Sequence, residues 1–146
     1  MRIAVGSDHA GYRLKQVLAE HLSGLGHQVE DLGTHSEAPV DYPEFGAAVG
    51  RAVRDGVAQL GVCACGTGIG ISIAANKIDG VRAAVVHDVT TARLARAHNH
   101  ANVVCLGGRI VGDEVAKDAI DAFLATEPVG GRHAQRIEEI AELEAH

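Results

Sequence analysis

The sequence predicts an α/β fold: a Rossmann-like three-layer sandwich whose five-stranded, mostly parallel, doubly wound sheet carries helices on both faces. Two observations carry that prediction. Short apolar runs ending in glycine or at a polar residue alternate with amphipathic stretches of helical length. The 146 residues, 47% hydrophobic and 22% charged, have the length and mix of one globular domain with one substantial core. A disordered chain is excluded, and no disulfide or metal is needed to hold such a core together.

The elements follow in order. Residues 2–6 (RIAVG) are a short apolar run closed by glycine, the signal of a buried strand. Over 12–25, Leu14, Val17, Leu18, Leu22 and Leu25 recur at helical spacing, with Gly24 and Gly26 at the end. Residues 29–32, closed by Gly33, give a second strand. The polar stretch 34–43 holds two of the three prolines and reads as a loop. A helix starts near Tyr42, with Phe45, Val49 and Val53 four apart, and Asp55-Gly56 stops it. Residues 60–65 are a third strand, 66–70 a glycine turn and 71–77 a short helix. Strands over 81–86 and 102–106 alternate with helices over 89–98 and 114–124. After Pro128 a short basic entry leads into an acidic amphipathic helix over about 131–145, with Ile137, Ile140 and Leu143 in line. That helix needs a surface, on its own domain or on a partner subunit. Residues 1–146 read as a single domain without repeat or linker.

Charge and composition narrow the partners. Thirteen Lys and Arg against nineteen Asp and Glu give a formal net charge of −6, which argues against a nucleic-acid-binding surface. Aromatic residues are only 3%, with no Trp, so stacking platforms for bases or bare sugar rings are scarce. The longest apolar stretches fall far short of the roughly 20 residues of a membrane span. The run before Asp8 is too short for a signal peptide. Three Cys cannot all pair within one chain, so free thiols in a reducing cytoplasm are expected.

In a parallel sheet, ligands gather at the carboxyl ends of the strands. The residues there are Asp8 and His9 after the first strand, 65–70 after the third, His87 and Asp88 after the fourth, and Arg109 after the fifth. Gly66, Gly68 and Gly70 open a helix, and backbone N–H groups in such a turn can converge on an anion. The spacing is GxGxG, without the acidic residue that a dinucleotide fingerprint places about 20 residues on, so a dinucleotide is disfavoured. The competing reading is a tight turn with no ligand. Cys65 stands at the start of that turn, where a thiolate is stabilised and can act as base or nucleophile. The alternative is an inert buried thiol, as Cys63 and Cys105 are expected to be. Cys63 and Cys65 lack a second pair, so no zinc site is expected.

His98 ends a helix and Asp8 can cap a turn; each has a structural as well as a chemical reading. His21, His27, His35 and His146 read as solvated or packing residues, and His87 and His100 stay open. Arg109, Arg132 and Arg136 are candidates for phosphate, because a guanidinium offers forked donors to its oxygens. Arg132 and Arg136 share one helical face.

Five blocks then stand together: SDHAGYRLK at 7–15, DYPEF at 41–45, CGTGIGISIAANK at 65–77, HNHANVVCLGGR at 98–109 and GGRHAQR at 130–136. In this order they resemble the ribose-5-phosphate isomerase type B family, which includes galactose-6-phosphate isomerase subunits. The resemblance runs from Ile3 to about Ile140. It implies a metal-independent aldose–ketose isomerase without cofactor, acting on a small sugar phosphate through a cis-enediolate. It puts the catalytic base on Cys65 and ring opening on His98, working with Asp8. Substrate contacts fall on Asp8, His9, Tyr42, Gly66, Thr67, Gly68, Ile69, Gly70 and Asn99. Phosphate contacts fall on His9, Arg109, Arg132 and Arg136. Thr67 is placed to relay protons between O1 and O2. The resemblance further implies a homodimer, or a dimer of dimers, with the site between subunits. Some members use a Glu as base; Ile71 occupies that position here, so this chain looks like the Cys-base branch.

Overall fold

The computed structural model describes residues 1–144; position 145, where the predicted terminal helix ends, and His146 lie outside the described residues. Five strands, β1 (Arg2–Ser7), β2 (Gln28–Asp31), β3 (Leu60–Cys65), β4 (Ala83–Val85) and β5 (Val103–Gly107), alternate with helices. The helices are α1 (Tyr12–Gly24), α2 (Tyr42–Arg54), α3 (Ile69–Asn76), α4 (Val89–Asn99), α5 (Asp113–Ala125) and α6 (Arg132–Glu142). The strand order is β2-β1-β3-β5-β4 and every pair is parallel, so the sheet is wholly rather than mostly parallel.

Strand alternation divides the core in two. Ile3, Val5, Val62, Ala64, Val104 and Leu106 face α1, α4 and α5. The intervening Ala4, Cys63, Cys65, Val103 and Cys105 face α2 and α3. This period of two on central strands is what lets a near-continuous apolar run bury both faces.

Two boundaries move for local reasons. Gly68 has φ +81°, and that left-handed turn lets α3 begin at Ile69, two residues earlier than its apolar run suggests. Only Ala83–Val85 of the predicted fourth strand pairs with β5. Val81 instead closes a turn on Ile78 O, and the Arg82 N–H donates to Asn102 Oδ1 at 2.8 Å.

An ion pair between buried Lys15 and solvent-facing Asp31 fixes α1 to the end of β2. Lys15 is 1% exposed, and its Nζ donates to both oxygens of Asp31 at 2.7 and 2.8 Å and to Gln16 Oε1 at 3.0 Å. Asp31 Oδ1 also accepts the Gly33 N–H at 3.0 Å. Beyond β2 the chain stays on β1: the Ser7 N–H donates to Gly33 O, and the Thr34 N–H to Ser7 O, each at 2.8 Å. The last residue of β1 is thus held through both its N–H and its carbonyl just before Asp8.

The terminal helix α6 packs beside α4 and is tied down past its end, where Glu144 accepts the Gly80 N–H on both carboxylate oxygens at 2.9 and 3.0 Å. It buries none of its residues in this chain, and Leu143, one of the three aligned apolar residues, is 80% exposed.

Candidate active site

The loops after β1 and β3 leave the sheet toward opposite faces, α1 on one side and α3 on the other. That divergence opens a crevice at the carboxyl edge, the place where doubly wound sheets bind ligands. The crevice is an open cleft of about 580 Å³ whose lining includes Asp8, His9, Tyr42, Cys65, Gly66, Thr67, Ile69, Gly70 and Arg109.

Asp8 is buried, and its Oδ1 accepts the Gly11 N–H at 3.0 Å, closing the turn into α1. The next residue, His9, points its Nδ1 at the backbone of Val40, 3.1 Å from the N–H and 3.2 Å from the carbonyl oxygen. This contact brings the loop after β2 to the cleft and delivers Tyr42 at the start of α2. The Tyr42 ring lies against Gly70, where a Cβ would come within 2.5 Å of Cζ; only glycine lets the ring approach the start of α3.

Cys65 ends β3 and is 4% exposed. Its Sγ accepts the Gly68 N–H at 3.2 Å, so the sulfur lies at the mouth of the glycine turn. The Thr67 Oγ1 accepts the Ile69 N–H at 3.1 Å, which leaves its hydroxyl proton free to donate. From β5, the Gly108 N–H donates to Cys65 O at 2.8 Å and the Arg109 N–H to Gly66 O at 3.0 Å. These bonds lay the Arg109 guanidinium over Gly66, where a Cβ would stand 3.2 Å from Nη1.

The remaining candidates gather elsewhere. His98 and Asn99 close α4, whose end feeds the amino end of β5. They therefore stand at the sheet edge opposite Cys65, about 15 Å away along a strand of this length. The His98 ring stacks on His133 of α6, with centroids 4.3 Å apart and planes 3° from parallel. Arg132 and Arg136 flank His133 on the same helix, so they belong to this second group. Asn99 lines a different cleft, of about 420 Å³, with Arg82, Ile140 and Leu143. Nine of the fourteen predicted site residues thus line the first cleft, and Gly68 supports it through Cys65. The other four, His98, Asn99, Arg132 and Arg136, lie apart from it.

Two open histidines have local partners. The His87 N–H donates to Thr91 Oγ1 at 3.0 Å, beside Asp88, which caps α4 by accepting the Thr91 N–H at 2.7 Å. The Thr91 N–H, then the Thr91 hydroxyl at 2.9 Å, hold the Asp88 carboxyl below its usual range. His100 is half-buried, and burial, then Arg82 and Arg96, push its imidazole down from its ordinary value. Cys63 and Cys105 face each other across the β3–β5 ladder, fully buried, as core thiols should. The hydrogen bond that the Cys105 thiol gives to Cys63, then burial, pushes the Cys105 thiol well up. Among the described residues no group of His, Cys, Asp and Glu is arranged to hold a metal ion. None of their helices is long and apolar enough to cross a membrane.

A parallel α/β sheet with a thiol set on a glycine turn, and a carboxylate, an imidazole and a guanidinium around it, is the framework of an enzyme for a small anionic substrate. The Ribose/Galactose Isomerase family model matches residues 3–140. The chain is 46% identical to ribose-5-phosphate isomerase B of Escherichia coli over 143 residues, 98% of this chain and 96% of that protein. It is 47% identical to galactose-6-phosphate isomerase subunit LacB of Clostridium acetobutylicum over 124 residues, 85% of this chain and 72% of that protein. The solved structure of Clostridium thermocellum ribose-5-phosphate isomerase B superposes with a TM-score of 0.98 at 50% identity, covering 99% of this chain and 97% of that one. The chain belongs to the ribose/galactose isomerase family and is a sugar-phosphate isomerase.

Proposed function

We propose that the enzyme interconverts D-ribose 5-phosphate and D-ribulose 5-phosphate through a cis-enediolate, with Cys65 as the base. One observation carries this reading: the Cys65 sulfur is held by the Gly68 N–H at 3.2 Å, in one cleft with Asp8, His9, Tyr42 and Arg109. A substrate seated on the glycine turn presents its carbon-bound hydrogens to that sulfur.

Cys65 removes the C2 proton of the open-chain aldose while the C1 carbonyl oxygen takes up the negative charge. Those backbone N–H groups of 66–70 that donate to neither Cys65 nor Thr67 stabilise that oxyanion, an effect typically worth about 3 kcal/mol per donor. Thr67 passes the hydroxyl proton between O1 and O2, and the thiol returns its proton to C1. Aldose phosphates rest as closed rings, so a separate acid–base group must open them. His98, with Asp8, fills that role, since an imidazole can both give and take a proton. His9, Arg109, Arg132 and Arg136 hold the phosphate, whose binding orients the reacting carbons. In this reading the enzyme is metal-independent and cytoplasmic.

His98, Asn99, Arg132 and Arg136 lie at the opposite sheet edge from Cys65, so each chain carries two half-sites. A homodimer that sets the amino edge of one chain against the carboxyl edge of its partner completes both, and exposed Leu143 and Ile140 would lie near that contact.

The relative from Clostridium acetobutylicum supports a second reading, galactose 6-phosphate; allose 6-phosphate and erythrose 4-phosphate are further aldose phosphates that the resemblance allows. The near-complete length match to the Escherichia coli enzyme favours the pentose over galactose 6-phosphate. A panel of these aldose phosphates assayed for ketose formation decides, with iodoacetamide inactivation and its protection by each substrate as a second readout. A higher kcat/KM for a hexose phosphate than for ribose 5-phosphate overturns the pentose assignment. Unchanged activity after stoichiometric alkylation of Cys65 overturns its role as base.

A further inference from the structure

The GGRHAQR block contributes more than two arginines. Its histidine, His133, lies face to face with His98: ring centroids 4.3 Å apart, planes 3° from parallel. The two residues come from different helices, α4 and α6, and beside them the Val129 N–H of the segment leading into α6 donates to Ala97 O at 2.8 Å. His98 itself is exposed at the last turn of α4, where an unsupported imidazole samples several rotamers.

We propose that His133 is a positioning residue for ring opening: its flat face fixes the plane of the His98 imidazole, and so the direction in which the His98 ring nitrogens address the sugar. This rests on reading His98 as the ring-opening group. Burial, then the neighbouring His98, Arg132 and Arg136, hold His133 below the ordinary imidazole value. At neutral pH the surface it offers to His98 is therefore an uncharged aromatic face, which stacks without repelling a proton on its partner. The contact also shields one face of His98 from water while leaving the ring edge, with both nitrogens, open. Because the stack links α6 to α4, it aligns the two phosphate-directed arginines with the ring-opening group as one unit. The orientation of His98 and the reach of Arg132 and Arg136 are then set together.

The test compares His133→Ala, which removes the shelf, with His133→Phe, which keeps a flat ring and no titratable nitrogen. Two activities are read in each. One is net conversion of ribose 5-phosphate. The other is wash-in of solvent deuterium at C1 of ribulose 5-phosphate. Its 5-hydroxyl is blocked by phosphate, so this ketose is open-chain, and wash-in needs the base without ring opening. His133→Ala is expected to lower net conversion about three- to tenfold, the weight of one aromatic contact. The ratio of wash-in to conversion should rise by the same factor, and His133→Phe should restore most of the loss. Parallel losses in both activities, or no rescue by Phe, overturn the positioning role. His98→Asn in the same assays tests the underlying reading separately: if it abolishes wash-in together with conversion, His98 is not specific to ring opening, whatever the His133 variants do.

Discussion

Cys65 and His98 stand at opposite edges of one parallel sheet: Cys65 is the last residue of β3, and His98 lies in the final turn of the helix that leads into β5. No side-chain motion brings residues so placed to one substrate, because the sheet between them is rigid and buried. If both act in one reaction, they act from two chains. Cys65→Ala and Arg136→Ala chains, each inactive alone, should then recover activity when mixed and refolded. Random pairing makes about half of the dimers hybrids, each with one intact site, so mixtures should approach roughly a quarter of wild-type activity. Hybrids confirmed by native mass spectrometry but lacking activity would place Arg136 in the site of its own chain.

Cys65→Ala should abolish isomerisation and leave the fold unchanged. The thiol sits at a strand end beside the cleft, so its removal leaves little cavity but takes away the proposed base. Circular dichroism and the thermal midpoint check the fold. Activity above about a tenth of wild type, a loss of only ~1.4 kcal/mol of transition-state stabilisation, contradicts the assignment.

His98→Asn should impair turnover of ribose 5-phosphate far more than turnover of an aldotetrose phosphate, which cannot cyclise. The motivation is a histidine remote from Cys65, the proposed base, within its own chain. Steady-state kinetics on the two substrates distinguish the cases, and equal losses would show that His98 serves a step common to both.

Lys15→Ala should lower the unfolding free energy by roughly 3 kcal/mol, since it deletes a buried stem and leaves Asp31 without its cation. Lys15→Met keeps most of the volume and should lose less. Urea midpoints at unchanged slope measure both. A change below about 1 kcal/mol in Lys15→Ala would mean that Asp31 recruits water at no penalty.

How much of this was legible in the sequence depends on the range of the interaction. The alternation of strand and helix is local: Leu14, Leu18 and Leu22 bury one face of α1 by spacing alone, and the runs in β3 and β5 announce burial on both faces. Strand order is not local, and nothing in 60–65 says that it pairs with both β1 and β5. The candidate cleft was legible as far as strand ends predict it, which covers Asp8, His9, Cys65 and Arg109. Tyr42 reaches the cleft through a loop, and only the Val40 contact to His9 explains how. The role of His133 has no local signal, because it is made by the packing of α4 against α6. Lys15 reads as an ordinary helix lysine until Asp31 appears beside it. The start of α3 at Ile69 turns on the left-handed backbone of Gly68, which an apolar count cannot see.

The contact between His9 and Val40 has a consequence for how the site meets its ligand. The Nδ1 atom faces an amide hydrogen and a carbonyl oxygen of the same residue, at 3.1 and 3.2 Å. A neutral ring accepts from the amide; a cationic ring donates to the carbonyl; the imidazole keeps its seat in both states and Nε2 stays free. A sugar phosphate itself exchanges a proton near pH 6. If His9 holds the phosphate as proposed, a change in the protonation of ring or ligand re-aims no atom of the pocket, since the ring keeps one seat whether Nδ1 accepts from the amide or donates to the carbonyl.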